Sequence, residues 1–440
     1  MNSFYKGTVL LVVAAFFSEC LEFFVNMILA RELGEEGMGL YMSILPVIFL
    51  IVVFASLELP ISISKFVAEK KRELHFHMLK HTLFLTVLFT FAFVAVAMVV
   101  LPYFPVFQDY HPLVMWLFVL LIPIVSFSSI ARGYFMGVQH MGKIAFSNFI
   151  RKVVQLVLLF FVYQSFQFDL QMALLIALAT LVGSELLVCA YLVSAYFIQF
   201  QVLSREPKHH IKGKTIRQNL ISVSLPTTGL RLFHALTNAI QPFLVKGALI
   251  ASGFTGTMAT ENYGMLAGVA MSIGFFPAFI AHSLMIMLIP TVSEAYAKND
   301  NEKMVKLLQQ AMWITMIYGV PSMFIMYIFA EPLTHLFFDS SAAAFYLKML
   351  WPYFLFHFFV VPMQAYLIGL GLMKDAFFHT IWSHVISFGM MYVLGSMESL
   401  QMEGIILGMN MGAVLLALMH YFTICKKIGV TVFLVRVRTA

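Results

Sequence analysis

Charge is what this sequence has least of. Asp, Glu, Lys and Arg together make up 11% of the chain, against 61% hydrophobic residues, a balance that no water-soluble globule of this size hides in its interior. Aspartate is scarcer still. Asp109, Asp169, Asp300, Asp339 and Asp375 stand alone, each near the end of an apolar run, which excludes the clustered aspartates that hold magnesium and diphosphate in enzymes acting on polyprenyl phosphates. Three cysteines, Cys20, Cys189 and Cys425, fall within or at the cytoplasmic ends of apolar runs and give no extracellular disulfide framework. No His/Cys spacing suits a metal, and no nucleophile elbow occurs. Gly213-Lys214-Thr215 imitates the end of a phosphate loop, but Lys208 stands where that motif needs glycine and no strand can precede it. No polar stretch exceeds about twenty residues, too few for a soluble catalytic domain. The sequence thus reads as a non-enzyme, with no catalytic residue, metal or cofactor.

What the sequence does have is long apolar runs. Cut at their polar clusters, they give spans at residues 7–33, 40–66, 82–101, 113–130, 144–162, 170–198, 220–249, 266–289, 311–330, 346–370, 377–396 and 404–425, each long enough to cross a bilayer as a helix. This predicts an all-α polytopic membrane protein with about twelve transmembrane helices. The longest polar stretch divides the chain into an N-terminal six-helix lobe at 1–198, a cytoplasmic linking loop at 199–218 and a C-terminal six-helix lobe at 219–440 with a short basic cytoplasmic tail. An even number of spans puts both termini on one side. Assigning that side to the cytoplasm of a cell membrane places every Lys and Arg of the 27 at cytoplasmic ends or loops except Arg31, Arg231, Lys246 and Lys348. Basic loops beside an anionic leaflet then account for the net charge of +6, with no nucleic-acid partner.

Against this background the polar residues inside the spans stand out. The segment 220–249 carries Arg231, His234, Asn238 and Gln241 at i, i+3, i+7 and i+10, which places them on one narrow helical face. The first span repeats the spacing with opposite charge: Glu19, Glu22 and Asn26 match Arg231, His234 and Asn238. We read these as two halves of an internal repeat lining a substrate cavity, acidic on one wall and basic on the other. The cost of Glu19 and Glu22 is large. Thirteen Val, Leu, Ile and Phe between Val9 and Leu29 favour insertion by about 0.3 to 0.6 kcal/mol each, and each central carboxylate opposes it by roughly 2.5 to 3.5 kcal/mol. The two glutamates must be protonated, solvated in a cavity, or paired. The repeat places Glu19 and Arg231 at equivalent depths, and predicts that they approach in one state of a cycle and separate in another.

Glu58, Glu185 and His282 are further gate or coupling candidates inside apolar runs. Arg151 and Lys152 read as side chains snorkelling to the inner interface, and His357, His379 and His384 as packing residues. Pro46 and Pro60 predict kinks. Asn299 with Glu302 resembles a capping box opening a short interfacial helix.

Four segments carry a resemblance: Ala30-Arg-Glu-Leu-Gly-Glu-Glu-Gly-Met-Gly-Leu-Tyr41, Leu59-Pro-Ile-Ser-Ile-Ser-Lys-Phe-Val-Ala-Glu69, Arg132-Gly-Tyr-Phe-Met-Gly-Val-Gln139 and Pro290-Thr-Val-Ser-Glu-Ala-Tyr-Ala297. In that order they resemble the multidrug/oligosaccharidyl-lipid/polysaccharide exporter superfamily, in its polysaccharide-flippase branch and its stage V sporulation protein B group. The resemblance implies two six-helix lobes related by a pseudo-two-fold, alternating access, and a monomer that moves a lipid-linked saccharide through the bilayer for cell-wall or spore-cortex assembly. It leaves Arg231 as the anion contact. Two other readings stay open: a cation-coupled multidrug exporter with Glu19, Glu22 and Glu185 as coupling carboxylates, and a non-transporting scaffold whose polar stripes are interhelical glue.

Overall fold

The computed structural model describes residues 3–205, 213–337 and 341–431, and among these the chain is helical almost throughout. The longer elements are α1 (Ser3–Ser56), α2 (Leu59–Glu69), α3 (His75–Val100), α4 (Leu113–Gly137), α5 (Met141–Ser165), α6 (Leu170–Arg205) and α7 (Gly213–Ala251). There follow α8 (Gly256–Gly264), a π-helical stretch (Met265–Ala270), α9 (Met271–Gly274), α10 (Ala278–Ala297), α11 (Asn301–Ile328), α12 (Ala330–Thr334), α13 (Ser341–Met349), α14 (Trp351–Gly369), α15 (Met373–Gly395) and α16 (Gln401–Ile428). Ten helices among the described residues are long and apolar enough to cross a membrane. The first of them, Ala15–Glu69, holds two of the expected spans, and the remaining expected span is α7, which carries the polar stripe.

Two breaks interrupt otherwise continuous apolar helix. In the second span the chain leaves the helix at Leu57 and Glu58, both left-handed (φ 46 and 47), a conformation that costs a non-glycine residue about 1 to 2 kcal/mol. Pro60 explains the place. It has no N–H for the carbonyl four residues back, and its ring would collide with that carbonyl, so a new helix starts with the proline in its first turn. The carbonyl of Ala55, released by the break, accepts a hydrogen bond from Ser126 Oγ of α4 at 2.9 Å. Within hydrocarbon a freed carbonyl must find such a partner. In the eighth span α9 ends at Gly274, and Phe275 to Pro277 form a turn before α10. Pro290 lies inside α10 with no break; the interruption falls at Phe275 to Pro277.

Other sequence expectations are corrected in detail. Between the first two expected spans, 7–33 and 40–66, the chain is helical on both sides of a single residue, Gly34 (φ 67, ψ −174). Glycine is needed again at Gly39, where an added Cβ would lie 2.0 Å from the Thr260 carbonyl oxygen. The cap near residue 300 is Asp300, whose side chain accepts from the Lys303 N–H at 2.9 Å. The helix it opens is the first part of α11 itself and not a separate interfacial helix. Of the linking stretch 199–218, α6 occupies the chain to Arg205 and α7 begins at Gly213; residues 206–212, and 432–440 of the tail, lie outside the described residues.

By its contacts the chain divides into one compact unit of residues 1–39 with 241–440 and a second of residues 40–240. This differs from the division at 199–218, because the first half of α1 packs with the later helices and most of α7 with the earlier ones. The 40–240 unit has a core of Leu59, Ile63 and Phe66 from α2, Met78 and Leu79 from α3, Tyr134 and Phe135 from α4 and Leu192 from α6, joined by Ile216 and Leu220 of α7. There α4 meets α2 at Gly133 and Gly137: a Cβ at either would lie within 3 Å of Ile63 or Val67. In the other unit α10, α11, α14 and α16 share a core that includes Val292, Leu308, Tyr366 and Ile424.

Ser126→Ala tests the helix break. Leaving the Ala55 carbonyl buried without its donor should lower stability by about 1 to 3 kcal/mol, seen as an earlier thermal unfolding midpoint in detergent. Ser128→Ala, which removes a hydroxyl bonded only to the Val125 carbonyl of its own helix, should change it little.

Candidate functional site

The broken second span and the polar stripe of α7 meet inside the 40–240 unit. Arg231 Nη1 donates to Glu58 Oε1 at 2.6 Å. The break makes this possible, because Glu58 turns out of register with the helix before it. The Glu58 side chain is 3% exposed and that of Arg231 52%, so the acid is buried and the base is open on one side. The guanidinium also lies over the Phe49 ring, 5.8 Å from its centroid, a further favourable contact for a cation. Helical periodicity explains the asymmetry. Thr228, Ala235 and Ala239 are buried, Asn238 is exposed and His234 half-buried, and Arg231 sits on the border between the two faces. Thr228 Oγ1, on the preceding turn, is buried without a hydrogen-bond partner.

A second ionic group lies in the same unit. Arg151 Nη1 of α5 donates to Glu185 Oε1 of α6 at 2.5 Å, and Arg132 of α4 approaches the other carboxylate oxygen at 4.0 Å. Glu185 was a coupling candidate in the sequence, but its partners were not, and Arg151 is an ion-pair member where snorkelling was expected.

The acidic stripe belongs to the other unit. Asn26 Nδ2 donates to Ser272 Oγ of α9 at 3.3 Å, just before the Phe275–Pro277 turn. Glu19 and Glu22 are half-buried. Gln241 falls at the start of this unit's second stretch, so the stripe of α7 is shared between the two units. His282 Nδ1 is 2.8 Å from the Ala278 carbonyl one turn back. His357 packs against Phe275 and Tyr353, with ring centroids at 4.8 and 6.1 Å. The acid that Arg231 holds in this structure is therefore Glu58, where the repeat pointed to Glu19.

Two features escaped the sequence reading. His379 and His420, on α15 and α16, place their Nδ1 atoms 3.0 Å apart, so one imidazole donates and the other accepts. Asn410 is a polar clasp in α16: its side chain accepts from the Tyr353 N–H and donates to the Met349 carbonyl, both at 3.0 Å. Polar residues at like depths in neighbouring apolar runs were the signal for both, but nothing in one sequence says which runs are neighbours.

The family model described as "Polysaccharide biosynthesis protein" matches residues 4–296, and that described as MatE matches residues 264–393. The chain is 59% identical to sporulation protein YkvU of Bacillus subtilis (strain 168), over 99% of this chain and 98% of that one. It is 32% identical to stage V sporulation protein B of the same organism, over 98% of this chain and 85% of the relative. Among solved structures, the inward-facing conformation of a multidrug resistance MATE family transporter of the MOP superfamily matches with a TM-score of 0.71 and 17% identity, covering 93% of this chain and 94% of that one. That similarity shows a shared fold.

The Glu58–Arg231 pair is open to a double-mutant cycle. Removing one partner of a buried pair leaves the other charge stranded, whereas removing both is far less costly. Glu58→Gln and Arg231→Gln should each lower the unfolding midpoint, and the double variant should lower it by less than the two shifts added. Because Arg231 is half exposed, the coupling should be about 1 to 3 kcal/mol, below the value for a fully buried pair. Strictly additive shifts would contradict the pairing.

Proposed function

The chain belongs to the polysaccharide biosynthesis protein family, and from that premise we propose that it is a flippase moving a lipid-linked saccharide precursor between the leaflets of the cell membrane. The proposed cycle is alternating access by two six-helix lobes, 1–198 and 219–440, with both termini cytoplasmic. The cargo passes Glu19, Glu22, Asn26, Arg231, His234, Asn238 and Gln241. The relatives named for sporulation support a role in cell-wall or spore-cortex assembly.

The observation that carries this reading is Arg231: a cation inside a membrane-spanning helix, bonded on one side to a buried carboxylate and open on the other. A saccharide diphosphate cannot cross hydrocarbon unaided, since bare charges there cost many kcal/mol. An arginine has five donors in a rigid fork, and Glu58 engages Nη1, which leaves donors for a phosphate. Glu58 also solves the problem of the empty state. It keeps Arg231 paired when no cargo is present, and by competing for the guanidinium it keeps cargo binding weak enough for release. Interrupted helices in both halves, at Leu57–Glu58 and at Phe275–Pro277, are where transporters of repeat architecture place their sites. A proton or other cation on Glu19, Glu22 or His282 would couple the cycle to a gradient.

The fold shared with a multidrug transporter favours a second reading, export of small molecules. Overexpression distinguishes the two: resistance to unrelated toxic compounds belongs to the second alone.

The test is the leaflet distribution of lipid-linked precursor in cells lacking the protein and its related flippases, during growth and during sporulation. Precursor should accumulate on the cytoplasmic leaflet. Wild-type protein should restore the distribution, Arg231→Lys should restore part of it by keeping charge without the bidentate fork, and Arg231→Gln almost none. An unchanged distribution in both conditions would overturn the proposal.

A further inference from the structure

The ionic group on α4, α5 and α6 has no part in the mechanism above. Two guanidinium side chains, Arg132 and Arg151, converge on one carboxylate, Glu185. The three side chains are 27%, 34% and 15% exposed, so the group is largely withdrawn from water, and its charges sum to one positive. A lone surplus positive charge inside a membrane-spanning unit is costly unless something anionic meets it.

The hydrogen bonding is incomplete in the same sense. Arg151 Nη1 is satisfied by Glu185, but Arg151 Nε is buried with no partner. At 4.0 Å, Arg132 Nη2 is beyond hydrogen-bond reach of the carboxylate it faces. An unmade bond from a buried charged donor is expensive, so Arg151 Nε calls for an acceptor other than Glu185, and Arg132, too far from the carboxylate to hydrogen-bond it, has donors to offer the same acceptor. Positioning is firm. Gly133, next to Arg132, is pressed against Pro60 and Ile63 of α2, and Ser147 and Gln155, one turn to either side of Arg151, are buried.

Depth narrows the ligand. Arg132 lies five residues from the end of α4 at Gly137 and Arg151 ten from the start of α5 at Met141, about 7 and about 15 Å of helix from the Val138–His140 turn. Half the hydrocarbon thickness is about 15 Å, so the group lies within the half of the bilayer on the side of that turn, deeper than the lipid phosphates, and a phosphate meets it by sinking toward guanidiniums that snorkel toward the turn. Two convergent guanidiniums suit a tetrahedral oxyanion, which offers several acceptors to a fork.

We propose that Arg132 and Arg151 form a binding site for the phosphate of a membrane lipid, with Glu185 as the resident competitor that the phosphate partly displaces. It is a second phosphate station, distinct from Arg231. Two sources share the chemistry: the phosphodiester of a bilayer phospholipid, and the phosphate of a polyprenyl carrier. If the carrier is the occupant, the site gathers cargo lipid before Arg231 meets it. If phospholipid is, the site anchors the α4–α5 end of the unit in its leaflet.

The test uses the purified full chain in detergent, titrated separately with phosphatidylglycerol, with a polyprenyl phosphate and with inorganic phosphate, bound lipid being counted by native mass spectrometry. At least one lipid should bind with a defined stoichiometry, and inorganic phosphate more weakly because it brings no acyl or prenyl contact. Arg132→Gln and Arg151→Gln should each weaken that lipid at least tenfold. Glu185→Gln, nearly the same in shape, should tighten it about three- to tenfold, the result that a merely structural ion-pair cluster does not give. Should Arg151→Gln fail to fold, Arg151→Lys serves: it keeps the charge, loses Nε, and should weaken binding by less than Arg132→Gln. Lys298→Gln, which removes an exposed ion pair with Glu294 at the end of α10, should leave this binding unchanged within twofold, and because binding is counted without transport, the flippase reading and this site can fail separately. Preference for the polyprenyl phosphate or for phosphatidylglycerol identifies the source. Weaker lipid binding in Glu185→Gln, or folded arginine variants that bind as wild type, would overturn the proposal.

Discussion

Hydrocarbon gives a polypeptide no hydrogen-bond partners, so a helix that stops inside a membrane must bring its own. The second span stops at Leu57 and Glu58, and the surroundings of that break follow from the constraint. Pro60 makes a continuous helix impossible, Ser126 of α4 meets the freed Ala55 carbonyl, and the side chain turned inward by the left-handed Glu58 is a carboxylate that cannot be left alone. Arg231 of α7 answers it. The close packing of α4 on α2 at Gly133 and Gly137 keeps Ser126 in reach of the break. A backbone defect, a buried acid and a half-open base are one arrangement, and each element is costly without the others.

The 40–240 unit repeats this logic in its charges. Glu58 holds Arg231 and Glu185 holds Arg151, with Arg132 nearby, so three guanidiniums are spread over two carboxylates. Arginine suits such places because it stays charged when half-buried. A fully compensated set would be structural ion pairing and would attract nothing. Compensation short by one charge, with a buried Nε still unbonded, is a standing invitation to an anion. The proposed occupants, a cargo phosphate at Arg231 and a lipid phosphate at Arg132 and Arg151, sit at different places in the unit but share this origin.

Composition and run length alone made the class and most of the helical spans legible, because spanning a bilayer demands about twenty apolar residues each time. The stripe on α7 was legible too, since residues three and four apart share a face whatever surrounds them. What was hidden was pairing across distance. Glu58 and Arg231 are 173 residues apart, and equal spacing in α1 made Glu19 the more obvious partner. The left-handed break at Leu57 and Glu58 carries no glycine to announce it; only Pro60 hinted at it. Arg151 looked like any basic residue near an inner helix end until α5 and α6 were seen side by side. His420 carried no signal beyond its place in an apolar run, yet it holds His379. The packing units 1–39 with 241–440 and 40–240 follow contacts between distant helices, which loop length does not reveal.

The central claim is that an arginine kept in the membrane by a buried glutamate carries a phosphate-bearing cargo lipid across. The most direct measurement is reconstitution of the purified protein alone into liposomes holding a fluorescent lipid-linked saccharide diphosphate, with the outer-leaflet fraction followed by a membrane-impermeant quencher under an imposed proton or sodium gradient. The account predicts translocation well above that of protein-free vesicles, lost in Arg231→Gln. Translocation no faster than in protein-free vesicles under either gradient, or equally fast with Arg231→Gln, would contradict it.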